Sequence, residues 1–154
     1  MSRAPLPPRA AGLRAALLTA RIWTFVFVLS LLVRRCSVPR LLRLCALRAP
    51  RPPEDDTLVV ACVDRVLARH PGMPRSPCLK RSLTLYRFLG GPAADLQFCL
   101  GVRYPEAPRP AREPQRLQSH AWLLRGGAPY LEFGHPHARR FREIYRHPAR
   151  EGAA

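Results

Sequence analysis

Proline cannot donate a backbone hydrogen bond, and this chain gathers it at Ala4–Arg9, Ala49–Pro53, His70–Pro77 and Tyr104–Pro114. These clusters, drawn from 18 prolines in 154 residues, leave few stretches long enough for regular elements. They divide the chain into three parts. Residues 1–50 are a Pro/Arg-rich start followed by Leu-rich basic helices; residues 51–148 are the main domain, with a Pro- and Arg-rich insert at 103–118; residues 149–154 are a tail. At 47% hydrophobic, a chain of this size buries about two thirds of its unfolded surface, which suits one modest core.

The most apolar run, Ile22–Val33, has 12 residues between Arg21 and Arg34-Arg35. A spanning helix needs about 20 apolar residues, so the run predicts a buried helix, an interfacial segment or the apolar part of a signal peptide. Arg34-Arg35-Cys36-Ser37-Val38-Pro39 is basic where a signal cleavage site should be small and neutral. The expectation is therefore a helix over Leu13–Val33 and a short basic amphipathic helix over Val38–Leu47, used for packing. Peripheral membrane contact through residues 13–47 is the alternative, with arginines on headgroups and Trp23 and Phe25 at the interface.

Net charge is +16, yet all but one of the 26 basic residues are Arg, Lys80 being the exception. That bias accompanies Ala, Pro and Gly enrichment and reads as composition, so a nucleic-acid partner is not expected. The cysteines Cys36, Cys45, Cys62, Cys78 and Cys99 are odd in number and form no CxxC pair. They suit neither a disulfide framework nor a zinc site, and point to a reducing, cytoplasmic setting. His135 and His137 alone make no metal site. No metal and no cofactor is assigned.

From Thr57, the residues Leu58, Val59, Cys62, Val63, Val66 and Leu67 form a helical apolar stripe, with Asp55 or Asp56 as cap and His70-Pro71-Gly72 as stop. Cys62 lies on the stripe as a small core residue. The next helix opens at Ser76-Pro77-Cys78 and closes at Gly90-Gly91, with Leu79, Leu83, Tyr86 and Leu89 facing the core and Lys80, Thr84 and Arg87 facing solvent. Cys78 falls in its first turn, where unpaired N–H groups and the positive end of the helix dipole favour negative charge. The same amides can receive a developing oxyanion, which suits a nucleophile. A buried cysteine that happens to follow a proline fits the helix equally well.

Leu96–Val102 alternates as a strand, and Ser119–Leu124 with Ala128–Phe133 forms a hairpin. Turn length decides what that hairpin brings together. A two-residue turn at Gly126-Gly127 pairs Leu124 with Pro129 and throws His120 and Glu132 onto opposite faces, whereas a three-residue loop over Arg125–Gly127 sets them directly opposite. The two glycines permit the three-residue loop, so a carboxylate can orient a histidine. Trp122 shares the face of His120, either shielding that pair or packing in the core.

In order and spacing, Cys78–Leu89, then Leu100-Gly101-Val102-Arg103, then His120-Ala121-Trp122-Leu123, then Leu131-Glu132 resemble the transglutaminase-like cysteine peptidases of lasso peptide biosynthesis, the stand-alone B-type leader peptidases of bacteria. The resemblance covers residues 60–148. It implies an α+β fold with a papain/transglutaminase-like core, a nucleophile helix packed on a small antiparallel sheet, preceded by N-terminal helices. It also implies that Cys78 is the nucleophile, His120 the general base and acid, and Glu132 the residue that orients the histidine. The implied substrate is a ribosomally made precursor peptide cut between leader and core, with a separate leader-recognition protein and a cyclase as partners. Leu124 and Arg125 stand where many members carry an acidic residue and an Asp before the turn glycine, and the 103–118 insert is a further departure. Gln97 and Gln115 are weak candidates for an oxyanion-hole side chain. A catalytically idle peptide-binding or scaffold module on the same fold is the alternative function.

Overall fold

Alanine, leucine and other good helix formers fill the first described segment, and Pro8–Leu32 forms one helix, α1. The computed structural model describes residues 8–46, 55–70, 77–103, 117–131 and 140–148. Leu18, Ile22, Val26 and Leu29 recur at helical spacing along α1 and are buried against the rest of the domain, chiefly against α3 (Asp56–Arg69). The helix is longer than the 12-residue run: Gly12–Leu32 is long and apolar enough to cross a bilayer, because only Arg14 and Arg21 are charged within it. Within that stretch, Leu18, Ile22, Val26 and Leu29 are the buried residues.

Helix α2 (Val38–Ala46) buries Leu41, Leu42 and Cys45 and leaves Arg40 and Arg43 in solvent. Asp55 caps α3 by accepting the Thr57 N–H at 3.0 Å, and the stripe Val59, Cys62, Val63, Val66 and Leu67 is buried. Helix α4 (Pro77–Phe88) lies at the centre, in contact with α1, α2, α3 and the sheet. That position corrects the face assigned from sequence. Lys80 and Thr84 are buried along with Leu83, Leu85 and Tyr86, because α4 is enclosed on nearly every side, and the Thr84 hydroxyl donates to the Lys80 carbonyl at 2.7 Å.

A short 3₁₀ turn at Gly91–Ala94 follows, entered through Gly90 at φ 101°, and then four antiparallel strands. These are β1 (Leu96–Arg103), β2 (Gln118–Arg125), β3 (Ala128–Tyr130) and β4 (Arg142–His147), in the order β3-β2-β1-β4. Leu96, Phe98, Ala121 and Leu123 face the helices and join the main core. Cys99, Trp122 and Leu124 form a smaller cluster on the other face, covered by Phe141. Strand β4 has no counterpart in the sequence expectations, since Arg142, Glu143 and Arg146 mask its alternation. Charge of this kind suits a sheet edge, and β4 is one.

The hairpin turn differs from the loop that would favour the site. Leu123 pairs with Tyr130, Leu124 with Pro129 and Arg125 with Ala128, leaving a two-residue turn at Gly126-Gly127. Both glycines have positive φ (57° and 79°), the primed-turn geometry that matches strand twist and that Gly-Gly supplies without strain. Strand β3 ends at Tyr130, and Leu131 takes φ 55°, so regular alternation stops there. The two-residue turn therefore does not set His120 across from Glu132, and the face of Glu132 does not follow from hairpin parity. Glu132 itself lies outside the described residues, as do Phe133, Ser76, His135, His137 and residues 104–116 of the insert.

Candidate functional site

Pro77 opens α4, and Cys78 sits half-buried in its first turn. A cavity of about 240 Å³ lies against this end of the helix. Cys78 and His120 both line it, with Arg81 and Ser82 along α4 and apolar walls from Leu85, Leu123, Tyr130 and Leu131. The topology explains how a helix residue and a residue on the far face of the sheet share one space. Among the described residues, β3 pairs with Leu123, Leu124 and Arg125, and no strand pairs with the first half of β2 on that side. Ala121 and Leu123 from the helix face, and His120 and Trp122 from the other face, all line the cavity there.

The imidazole of His120 is held among rings. It stacks on Trp122 with centroids 5.9 Å apart and planes 17° from parallel, and Phe141 lies 5.1 Å away. Arg103 covers the Phe141 ring at 4.9 Å. Trp122 in turn lies over Gly101, where an added Cβ would come within 2.8 Å of the indole and 2.9 Å of the Arg142 carbonyl oxygen. Gly101→Ala is therefore expected to push the indole off its seat, lowering stability by about 1–3 kcal/mol and disturbing the His120 environment. Thermal denaturation reads the first effect, and the His120 ring resonances in an NMR spectrum read the second.

Two contacts tie α4 to the strands around it. The buried Ser82 hydroxyl donates to the Ala121 carbonyl at 3.0 Å, fixing α4 against the residue beside His120. Arg81, one turn after Cys78, grips Asp64 of α3 through Nε at 2.8 Å and Nη2 at 3.2 Å, and donates from Nη1 to the Leu131 carbonyl at 2.6 Å. The last of these bonds anchors the residue immediately before Glu132. Neither link had a signal in the sequence beyond the place of both residues on the same helix as Cys78.

All five cysteines are thiols, and their surroundings differ. Burial pushes Cys45 up to about 11, against a smaller opposing effect of Arg87, and pushes Cys99 up to about 12, with Glu143 adding to the rise. Both stay protonated near neutral pH, and a protonated thiol is a poor nucleophile. Iodoacetamide at pH 7.5 is expected to modify Cys78 and to leave Cys45 and Cys99 unlabelled in the native protein, as read by peptide mass mapping. Of the oxyanion candidates, Gln97 does not line the cavity and accepts from Arg146 at 3.2 Å, while Gln115 is outside the described residues. Among the described residues, no group of three or more His, Cys, Asp or Glu side chains is placed to hold a metal ion.

A thiol at a helix N-terminus and an imidazole on an adjacent strand, facing one cavity, are the parts of a nucleophile and base pair. A sequence profile of the Transglutaminase-like superfamily matches residues 18–146. The chain belongs to the transglutaminase-like superfamily. That superfamily includes cysteine peptidases and acyltransferases. No curated protein and no solved structure matches the chain. The superfamily match starts within α1, whose buried face is part of the same core as α3 and α4. Arg125 finds its own partners here: it donates to Asp56 at 2.8 Å and to the Tyr130 hydroxyl at 2.6 Å, and covers the Tyr130 ring at 3.9 Å. The Tyr130 hydroxyl also donates to Asp56, at 2.6 Å, so the hairpin is fastened to the first turn of α3. Burial alone would raise the Asp56 carboxyl, but the Tyr130 and Arg125 hydrogen bonds hold it below the usual carboxylate value.

Proposed function

We propose that the protein is a cysteine peptidase that removes the leader from a ribosomally made precursor peptide, in a lasso-peptide type of maturation. The observation that carries this reading is the shared cavity of Cys78 and His120 at the N-terminus of α4. His120 takes the thiol proton as the Cys78 sulfur attacks the scissile carbonyl carbon, and the first-turn amides of α4 receive the oxyanion. As the C–N bond breaks and a thioester forms, His120 gives a proton to the leaving amine. It then takes a proton from the water that attacks the thioester and returns it to the sulfur as the C–S bond breaks, which releases the leader with a new C-terminal carboxyl group and regenerates the Cys78 thiol. Glu132 accepts a hydrogen bond from the other imidazole nitrogen and fixes the tautomer.

The apolar walls of the cavity suit a hydrophobic side chain next to the cut. A separate leader-recognition protein would deliver the precursor, and a cyclase would take the product. Incubating the protein with a precursor peptide, together with its recognition protein, tests this by intact mass. Separate leader and core fragments are the expected result. Saturable binding of the peptide with no fragments would favour the idle scaffold instead.

A further inference from the structure

The face of α1 opposite the core carries Leu13, Leu17, Phe27, Val28 and Leu31, between 44% and 64% exposed. Ala16, Ala20 and Thr24, also exposed, fill the spaces between them. Thr24 returns its hydroxyl to the Ala20 carbonyl at 3.1 Å and so adds no demand for an outside partner. From Leu13 to Leu31 this face runs for ~27 Å along the helix. Its centre bears no charge. Arg21 turns its guanidinium towards the Phe88 ring, at 6.0 Å, while exposed Arg14 stands near one end and exposed Arg34 and Arg35 just past the other. An uncovered apolar stripe of this length marks a surface that something covers.

We propose that α1 docks this domain on an anionic membrane surface, lying in the plane of the interface with its opposite face still packed on α3. Charge selects this occupant. At +16, two copies brought face to face would repel and would place their flanking arginines together, whereas an anionic bilayer offers hydrocarbon to the stripe and phosphates to the arginines. A spanning helix would have to strip Leu18, Ile22, Val26 and Leu29 out of the core, and the docked arrangement keeps them there. Phe25 is not part of the stripe: it is half-buried, edge-on to Phe88 at 5.6 Å. Membrane docking does not depend on the chemistry at Cys78.

Flotation of the full chain with vesicles tests the proposal. The protein is expected to float with phosphatidylcholine–phosphatidylglycerol vesicles and to remain in the soluble fraction with phosphatidylcholine alone. Leu17→Gln/Phe27→Gln/Leu31→Gln alters only exposed side chains, and circular dichroism checks that it stays folded. Its affinity for the mixed vesicles should fall by at least about tenfold. Arg34→Gln/Arg35→Gln should weaken binding by about tenfold as well, with the loss disappearing at high salt. Failure of the native chain to float, or equal flotation of the triple variant, overturns the proposal. So does resistance of the bound protein to carbonate extraction, which would mean a spanning helix, or a dimer in solution that the triple variant abolishes, which would give the face to a second copy.

Discussion

Cys78→Ala protein is expected to leave a precursor peptide intact, with cleavage reduced at least ~10,000-fold, because the sulfur of the proposed nucleophile is gone. His120→Ala should fall to a similar level. The two act as a unit, so the double variant should be little worse than either single one. Stability should hardly change with Cys78→Ala, since the side chain is half-buried and lines a cavity. Time courses followed by mass spectrometry, alongside thermal melts of each variant, check both halves. Cleavage that survives the loss of Cys78 would mean that Cys78 is not the nucleophile.

Arg81→Leu has the second largest expected effect, because one guanidinium serves three elements. Its loss leaves the Asp64 carboxylate and the Leu131 carbonyl without the bonds at 2.8, 3.2 and 2.6 Å. Breaking a fully buried pair costs about 3–5 kcal/mol. Asp64 is 30% exposed, so water screens part of that, and about 2–3 kcal/mol is the expected loss. Arg81→Lys keeps the charge but not the fork, and should recover only part of it. Activity should fall further than stability explains at temperatures where the variant is folded, because Leu131 is the residue that leads into Glu132. Urea denaturation gives the stability, and kcat for the folded variant gives the positioning effect.

The helices were legible because their periodic stripes and end signals agree: Asp55 caps α3 as its position suggests, and Pro77 opens α4. What the sequence hid was how much of α4 would be covered. Lys80 and Thr84 are polar and spaced like a solvent face, and only the packing of three helices and a sheet around α4 makes them interior. The two-residue turn was legible as one of two options but not as the outcome, because Gly126-Gly127 satisfies either. Leu131 at φ 55° carried no signal at all, since leucine rarely adopts that region; the Arg81 bond to its carbonyl accompanies it. Cys78 and His120 were legible through their motif contexts, and both line one cavity where β2 runs past the end of β3. Strand β4 escaped because an edge strand needs so little apolar patterning.

The proposed chemistry requires Cys78 to accept an acyl group with help from His120. Mixing the protein with a p-nitrophenyl ester of an apolar acyl amino acid and reading p-nitrophenol release and intact mass in the first turnover tests it directly. A burst of p-nitrophenol matching the enzyme concentration is expected, with one acyl adduct that maps to Cys78 and a slower burst in His120→Ala. Absence of a burst, or an adduct mapping to another cysteine with Cys78 unmodified, would contradict that chemistry.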